Sequence, residues 1–350
     1  MLEVLIQRLS AQEPLTEAQI CQAVEHLIDE SVSSTIKADF LISLARKGET
    51  VAEIAVFARE LRARAIQPGI GGALRACMIL DVVGTGGDRL NTFNISTAAA
   101  LVAAAAGVVV AKHGNRASTS STGSADVLEA LGIPWNLGPE EAVRSLEQHR
   151  FAFFFAPKYH PAFRHIVPAR KLCAERGQST IFNILGPLLN PACPSAMLVG
   201  VARPELCESL GSVLQNLGIC RGLFVCGTAR DETGMVRYLD EVSPLGPTFI
   251  AEFYQEHALT ASKLPADAFP LQPGTLADLR GADPQTNAAI IRRIFAGHDR
   301  TVRRDAVLLN AAAALFVAAK VRTLTEGWER AAEIIDRGLA TRKVEELSES

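Results

Sequence analysis

The sequence lacks most features of secreted, zinc-binding or membrane-spanning proteins. Its seven cysteines are odd in number and contain no C-x-x-C spacing. We therefore expect neither a disulfide framework nor a zinc site, and reduced thiols in a cytoplasm fit best. The opening MLEVLIQRLS has no basic segment ahead of an apolar core, so no secretory signal is expected. The longest apolar run, Ala98 to Ala111, is shorter than the ~18–20 residues of a membrane span.

Strong net charge is also missing. The 35 Lys and Arg residues nearly balance the 38 Asp and Glu residues, for a net charge of −3. This balance gives no electrostatic reason to expect nucleic acid or an anionic membrane as a partner. What the sequence does have is size and apolar content, because 48% of its 350 residues are hydrophobic. One large domain plus a smaller one is therefore expected.

The chain reads as two regions with different patterns. Apolar residues recur at helical spacing as far as about Ile66, and the segment Gln67-Pro-Gly-Ile-Gly-Gly predicts a break. After it, short apolar strands alternate with helices, which predicts an α/β domain with a mostly parallel sheet flanked by helices. We predict a small helical domain at 1–70, joined by helices from about 165–190, and an α/β domain at 71–350.

A glycine-rich turn, Gly84-Thr85-Gly86-Gly87-Asp88, follows the first predicted strand, Met78 to Val83. Glycines let backbone N–H groups approach an anion closely. The helix predicted to start near Ser96 adds unpaired N–H groups and the positive end of its dipole. Alone, the turn would fit a plain strand-to-helix connection. The N-x-S-T sequence behind it favours a phosphate or pyrophosphate cradle at the carboxyl edge of the sheet.

The next predicted strand ends in Lys112-His113-Gly114-Asn115-Arg116. Lys112 follows a buried run and is favoured as a phosphate ligand, whereas Arg116 alone reads as a solvated surface charge. His113 and Asn115 can hydrogen-bond a polar substrate.

Two further segments leave alternatives open. The hydroxyl-rich stretch 118–126 suits a loop that wraps phosphate oxygens, or equally a plain loop with Ser124 as a helix N-cap. The adjacent acids Asp240 and Glu241 suit Mg²⁺ together with substrate phosphates, although most such pairs are solvated surface residues.

Taken together, the motifs resemble those of the anthranilate phosphoribosyltransferases. The resemblance is carried, in order, by D-V-V-G-T-G-G-D, N-I-S-T, K-H-G-N-R, G-S-A-D-V-L-E-A-L-G, Y-H-P-A, T-I-F-N-I-L-G-P-L-L-N-P-A and L-D-E-V-S. It implies a cytoplasmic, Mg²⁺-dependent homodimer that acts in tryptophan biosynthesis. Such an enzyme transfers the phosphoribosyl group of 5-phosphoribosyl 1-pyrophosphate (PRPP) to the amine of anthranilate, and pyrophosphate leaves.

The resemblance also implies three sets of site residues. PRPP would be held by Gly84, Gly86, Gly87, Asp88, Thr92, Asn94, Ser96, Thr97, Lys112 and Ser124. Anthranilate would contact Gly84, His113, Asn115, His160, Arg170, Gly186 and Pro187, and Arg170 suits its carboxylate. Mg²⁺ would be bound by Ser96, Asp240 and Glu241. We assign no nucleophile or general base, because an aryl amine is already neutral and nucleophilic at pH 7.

Three departures from the family pattern concern loops. Ser121 stands where the family often has Lys, the stretch from Arg170 to Thr180 is longer than usual, and the loop Gly227 to Arg237 looks expanded. These differences leave open a phosphoribosyltransferase of the same fold that acts on another aryl amine. An inactive nucleic-acid-binding relative is a second alternative, against which the net charge and the intact acid pair argue.

Overall fold

The computed structural model describes residues 2–117, 121–255 and 257–350. Its first part contains the helices α1 (Leu2–Ser10), α2 (Glu17–Ile28), α3 (Ser34–Lys47) and α4 (Val51–Ala63). Thr16 and Thr50 each form a capping box at the start of α2 and α4. The apolar faces of these helices meet in one buried core.

The rest of the chain alternates between helices and strands. Its elements are α5 (Gly72–Ala76), β1 (Ile79–Gly84), α6 (Ile95–Ala105), β2 (Val109–Gly114), α7 (Ser124–Leu131), α8 (Pro139–His149), β3 (Phe151–Phe155), α9 (Ala156–Tyr159), α10 (Val167–Glu175), α11 (Phe182–Leu185), β4 (Ala196–Gly200), α12 (Glu205–Asn216), β5 (Arg221–Arg230), β6 (Val236–Leu239), β7 (Thr248–Tyr254), β8 (Thr260–Leu264), α13 (Pro284–Phe295), α14 (Val302–Val317), α15 (Leu324–Asp336) and α16 (Leu339–Ser348). Short 3-10 helices cover Pro161–His165, Gly186–Leu189 and Ala266–Ala268.

The strands form one sheet in the order β3-β2-β1-β4-β5-β7-β8, with β6 paired to β5. The pairs from β3 to β5 are parallel, whereas β6, β7 and β8 join antiparallel. Helices α6, α13, α14 and α15 contribute to the core on one face, and α12 with the N-terminal helices contributes to a second core. The predicted fold class, a small helical domain and a mostly parallel sheet flanked by helices, is therefore confirmed.

The polar residues at the starts of α6 and α7 do not act as side-chain N-caps. Asn94 occupies the N-cap position of α6, but its side chain makes no capping hydrogen bond. Its amide instead donates to the Thr122 carbonyl at 3.2 Å and its oxygen accepts from Asn287 at 2.9 Å. Ser124 is the first residue of α7 rather than its N-cap, which is Gly123.

The expanded loop predicted at 227–237 is in fact a β-hairpin. Strand β5 continues to Arg230 and pairs with β6, with Gly227 opposite Leu239 and Arg230 opposite Val236. The carboxylate of Asp231 stabilises the turn by accepting from the Thr233 and Met235 N–H groups at 2.9 and 3.0 Å. The sequence looked loop-like because residues 230–238 are largely exposed and show little apolar alternation.

Helix α10 lies far from α3 in the sequence but packs against it. The Cys173 thiol donates to the Ala38 carbonyl, and Arg176 pairs with Asp39 at 2.6 Å. These contacts support the predicted attachment of 165–190 to the helical domain, although the boundary at residue 70 stays a prediction. Within the residues described, no helix is long and apolar enough to cross a membrane.

Candidate active site

A cavity of about 300 Å³ opens where β1 and β2 end and α6 begins. It collects nearly all of the residues predicted to hold PRPP, namely Gly84, Gly86, Gly87, Asp88, Thr92, Asn94, Ser96, Lys112 and Ser124. Asp240 and Glu241 also line it, although they are far away in the sequence. The parallel strands therefore deliver these residues to one edge of the sheet, where open α/β sheets bind their ligands.

The turn after β1 requires glycine because of its backbone conformation. Gly86 and Gly87 have φ values of +69° and +87°, and a side chain at either position would meet open space. The restriction is thus conformational rather than steric. The N–H of Gly86 donates to Asp240 Oδ2 at 2.7 Å, and a side chain at Gly84 would clash with the same carboxylate. Asp240 accordingly lies directly against the turn.

Three carboxylates gather beside this turn. Burial raises the pKa of Asp240, and the negative charge of Asp88 raises it further. Burial likewise raises the pKa of Glu241, as does the charge of Asp240. Glu241 Oε1 also accepts from the N–H of Ser96 at 3.2 Å. The repulsion among these acids would be relieved by a cation, which is the electrostatic condition of a metal site.

The acids do not by themselves form a closed metal cage. Among the described residues, no group of three or more His, Cys, Asp or Glu side chains has the arrangement of a metal site. Mg²⁺ commonly uses one or two carboxylates together with substrate phosphates and water. The donor set of Asp240 and Glu241 fits that mode of binding, with the remaining ligands coming from outside the protein.

Lys112 is the buried cation of the site, with a relative exposure of 1%. Its ammonium donates to the carbonyl of Val82 and lies 3.4 Å from Ser96 Oγ. Burial lowers the pKa of Lys112, and the negative charge of Asp81 opposes that effect. The side chain is therefore fixed between β1 and the start of α6.

Next to Lys112, two neutral histidines begin an aromatic path. The rings of His113 and His160 are 5.5 Å apart, and each residue is 4% exposed. Burial lowers the pKa of His113 to about 3 and that of His160 to about 4. His160 Nε2 bonds the Leu189 carbonyl at 3.0 Å, and the His113 ring bonds the Gly186 backbone. The buried Nε2 of His113 has no partner among the described residues.

The path continues from His160 toward α10. Phe163 lies 4.9 Å from His160 and 5.9 Å from Phe182, centroid to centroid. The guanidinium of Arg170 lies 5.5 Å from the Phe182 ring. Of the predicted anthranilate residues, Gly84, His113 and Asn115 line the 300 Å³ cavity, whereas His160, Arg170, Gly186 and Pro187 do not. The two sets meet at the contacts of His113 with His160 and Gly186.

Several predicted residues are placed differently from the expectation. Thr97 is fully buried in α6 and does not line the cavity, because its position faces the core rather than the helix end. Ser121 is exposed, and residues 118–120 of the hydroxyl-rich stretch lie outside the described residues. The long segment after Arg170 extends α10 to Glu175 and turns at Gly177, which has a φ of +67°.

Two buried asparagines that support the site were missed. Asn287 on α13 donates to Asn94 and accepts from the N–H of Ala282 at 2.8 Å. Asn310 on α14 bonds both the N–H and the carbonyl of Val242, each at 2.9 Å, directly after the acid pair. A signal was available for Asn310, because a polar residue inside the apolar run AVLLNAAAAL needs a buried partner.

Comparisons with known proteins agree with this architecture. Residues 3–65 match the family model "Glycosyl transferase family, helical bundle domain", and residues 77–341 match "Glycosyl transferase family, a/b domain". The chain is 44% identical over 348 residues to an anthranilate phosphoribosyltransferase of Symbiobacterium thermophilum, in a match that covers 99% of this chain and 97% of that one.

Two solved structures are similar throughout. The crystal structure of anthranilate phosphoribosyltransferase from Thermus thermophilus has a TM-score of 0.85 and 38% identity, over 98% of each chain. The Saccharomyces cerevisiae enzyme, in complex with PRPP and Mg, has a TM-score of 0.83 and 26% identity, over 99% of this chain and 97% of that one.

The helical bundle and the α/β domain both match glycosyltransferase family models, so the chain is a glycosyltransferase of this two-domain type. Within that class, the chain belongs to the anthranilate phosphoribosyltransferase family.

Proposed function

We propose that this cavity binds PRPP beside Mg²⁺ and that the aromatic path binds anthranilate. The reaction is transfer of the phosphoribosyl group of PRPP to the amine of anthranilate, a step of tryptophan biosynthesis, with release of pyrophosphate. The observation that carries the residue assignments is the junction at His113, where the charged cavity meets the aromatic path. The two substrates must meet at such a junction for the amine to reach the ribose C1.

The donor side comprises Gly84 to Asp88, the start of α6, Lys112 and the pair Asp240 and Glu241. Its backbone N–H groups and the Lys112 ammonium bind the phosphates. When bound, Mg²⁺ neutralises the charge that develops on the leaving pyrophosphate, and Asp240 and Glu241 hold it, with Ser96 beside them. The Gly86 N–H donates to Asp240 Oδ2 at 2.7 Å, so the acid that would hold the ion lies directly against the turn that would hold the phosphates.

The acceptor side comprises His113, His160, Phe163, Arg170 and Phe182. Its rings form the walls for a flat aromatic acid. Both imidazoles stay neutral because burial keeps the pKa of each well below 6.5. A neutral His113 leaves Nε2 free to accept a hydrogen bond from the anthranilate amine. Arg170 then supplies the positive charge for the carboxylate.

Product formation from anthranilate and PRPP, with and without Mg²⁺, tests this function. We expect Mg²⁺-dependent formation of N-(5-phosphoribosyl)anthranilate. Parallel reactions with aniline and with other aryl amino acids test the alternative acceptor. A faster reaction with one of those amines than with anthranilate would reject the assignment of the acceptor.

We also propose a cytoplasmic homodimer. The odd number of thiols, none of them paired in the structure, supports a reducing compartment. Analytical ultracentrifugation of the full chain tests the dimer, since a monomeric mass at micromolar concentration would contradict it.

A further inference from the structure

The neighbouring strands β1 and β2 separate just before they reach the cavity. The register of β1 with β2 ends at Leu80 and Val110. Beyond these residues, β1 stays paired with β4 as far as Gly84, and β2 stays paired with β3 as far as Gly114. A gap therefore separates the ends of β1 and β2. The backbone N–H and carbonyl groups that face this gap need hydrogen-bond partners other than the neighbouring strand.

Two buried side chains supply partners for β2. Asp81 Oδ1 accepts from the N–H of His113 at 3.2 Å, in the place of a strand carbonyl. Asn190 Nδ2 donates to the carbonyl of Ala111 at 2.7 Å, in the place of a strand N–H. The two side chains also bond each other, with Asn190 Nδ2 donating to Asp81 Oδ2 at 2.8 Å. They are 0% and 1% exposed, so water does not compete with these bonds.

The remaining polar groups around this pair also have hydrogen-bond partners. Asn190 Oδ1 accepts from the N–H of Ala192 at 2.9 Å, which fixes the orientation of the amide. On the other side of the gap, the Lys112 ammonium bonds the carbonyl of Val82 on β1. Asp81, Asn190 and Lys112 thus replace the ladder that β1 and β2 would otherwise form.

We propose that Asp81 and Asn190 are positioning residues that hold the ends of β1 and β2 apart at the width the two substrates need. The inference rests on the proposed function, because the end of β2 carries Lys112 on the donor side and His113 on the acceptor side. Neither Asp81 nor Asn190 lines the cavity. Their effect on both substrates passes through the strand ends that they hold.

The substitution Asp81→Asn tests this pair with almost no change in shape. An amide at position 81 still accepts from His113, but its N–H₂ group faces the N–H₂ group of Asn190. We expect KM for PRPP and KM for anthranilate each to rise by about tenfold, as for the loss of one charge-assisted hydrogen bond. The matched control is Asp305→Asn, at a buried aspartate that accepts from the Gln272 N–H at 2.6 Å, and neither of these residues lines the cavity. The control should lose stability and keep both KM values.

A double variant distinguishes a loss of this positioning role from a general loss of folding. In the exchanged pair Asp81→Asn with Asn190→Asp, one donor again faces one acceptor within the pair, although the carboxylate at 190 no longer donates to the Ala111 carbonyl. We expect this double variant to recover part of the KM loss of Asn190→Asp alone, in which two carboxylates face each other. Asn190→Ser, which removes the amide donor without adding charge, serves as a second test if Asp81→Asn folds poorly. Wild-type KM values in Asp81→Asn and Asn190→Ser, or no improvement of the exchanged pair over Asn190→Asp alone, would overturn the proposal.

Hydrogen exchange gives a readout that needs no turnover. Exchange of the backbone amides of residues 109–115, measured by mass spectrometry without substrates, should be faster in Asp81→Asn than in the wild type or Asp305→Asn. Equal exchange in all three proteins would refute the role of the pair. If the wild-type chain made no product, the proposed function would fall, and the exchange result would still decide the role of Asp81.

Discussion

On the proposed donor side, the groups are backbone N–H groups, one buried ammonium and crowded carboxylates, whereas on the proposed acceptor side they are aromatic rings and neutral imidazoles. Burial disfavours the charged form on both sides, so it raises the pKa of Asp240 and lowers the pKa of His160. Only the donor side adds repulsion between like charges, because the negative charge of Asp88 raises the pKa of Asp240 further. The donor side is therefore arranged to attract a charged ligand and its cation, and the acceptor side to bind a flat ring.

This difference should appear in how each side responds to substitution. Changes on the donor side should affect PRPP and metal dependence, and changes on the acceptor side should affect anthranilate alone. The two sides share β2, so only a change that moves that strand should affect both substrates.

The largest effect is expected when the acid pair is removed. The double variant Asp240→Ala with Glu241→Ala should lower Mg²⁺-dependent turnover by about 10³-fold or more, because the leaving pyrophosphate loses its neutralising cation. Circular dichroism should show an intact fold. The control is Glu232→Ala, at an exposed acid in the nearby hairpin. Turnover at the wild-type rate in the double variant would reject the metal assignment.

The next effect concerns the glycine turn. Gly86→Val places a β-branched residue at a φ of +69° and should weaken PRPP binding by roughly ten- to a hundredfold, with anthranilate binding little changed. Calorimetry with each substrate measures both affinities. Gly234→Val imposes the same kind of strain at a φ of +80° in the exposed hairpin turn and should leave both affinities unchanged. An equal loss of affinity for both substrates in Gly86→Val would remove the distinction between the two sides.

A comparable or smaller effect is expected at the far end of the acceptor side. Arg170→Ala should raise KM for anthranilate by about ten- to a hundredfold through loss of a charge-assisted pair, with KM for PRPP little changed. Steady-state kinetics of Arg170→Ala and of the control Lys171→Ala, at the neighbouring exposed cation, measures both KM values. If Arg170→Ala uses anthranilate as well as the wild type does, the carboxylate is bound elsewhere.

The smallest effect is a pH dependence of stability from the neutral histidines. The folded pKa of His160, about 4, lies below its ordinary value of 6.5, so the unfolded chain binds the proton first as the pH falls. The stability from this group is complete above about pH 6.5 and is lost as the pH falls toward 4, by about 1.4 kcal/mol per pKa unit. His160→Gln should flatten the fall of Tm between pH 7 and pH 4. His298→Gln, at an exposed histidine, should not change it.

The donor side was largely predictable from the sequence because its motifs are local. The apolar strand before Gly84, the glycine turn and the start of α6 are continuous in the chain, and parallel topology then brings β2 beside them. Asp240 and Glu241 were found only through the family resemblance. Their approach to Gly86 depends on the hairpin of β5 and β6, whose pairing cannot be read from a polar loop sequence.

The supporting residues were less predictable because their partners are distant in the sequence. Asp81 lies inside the apolar run MILDVV, which signals a buried carboxylate without indicating what it bonds. Its partner Asn190 is 109 positions away. Thr97 is the converse case, since it lies inside a matching motif whose sequence did not indicate that the residue is fully buried.

The hairpin of β5 and β6 also determines where this chain can change length. Side chains alternate along a strand, so one residue inserted between Val236 and Leu239 would turn the two acids to the wrong face. An insertion at the exposed tip, residues 231–235, leaves the register from Gly227 to Leu239 untouched. The tip is thus a place where a peptide tag or a fluorophore could be inserted beside the active site without displacing its acids.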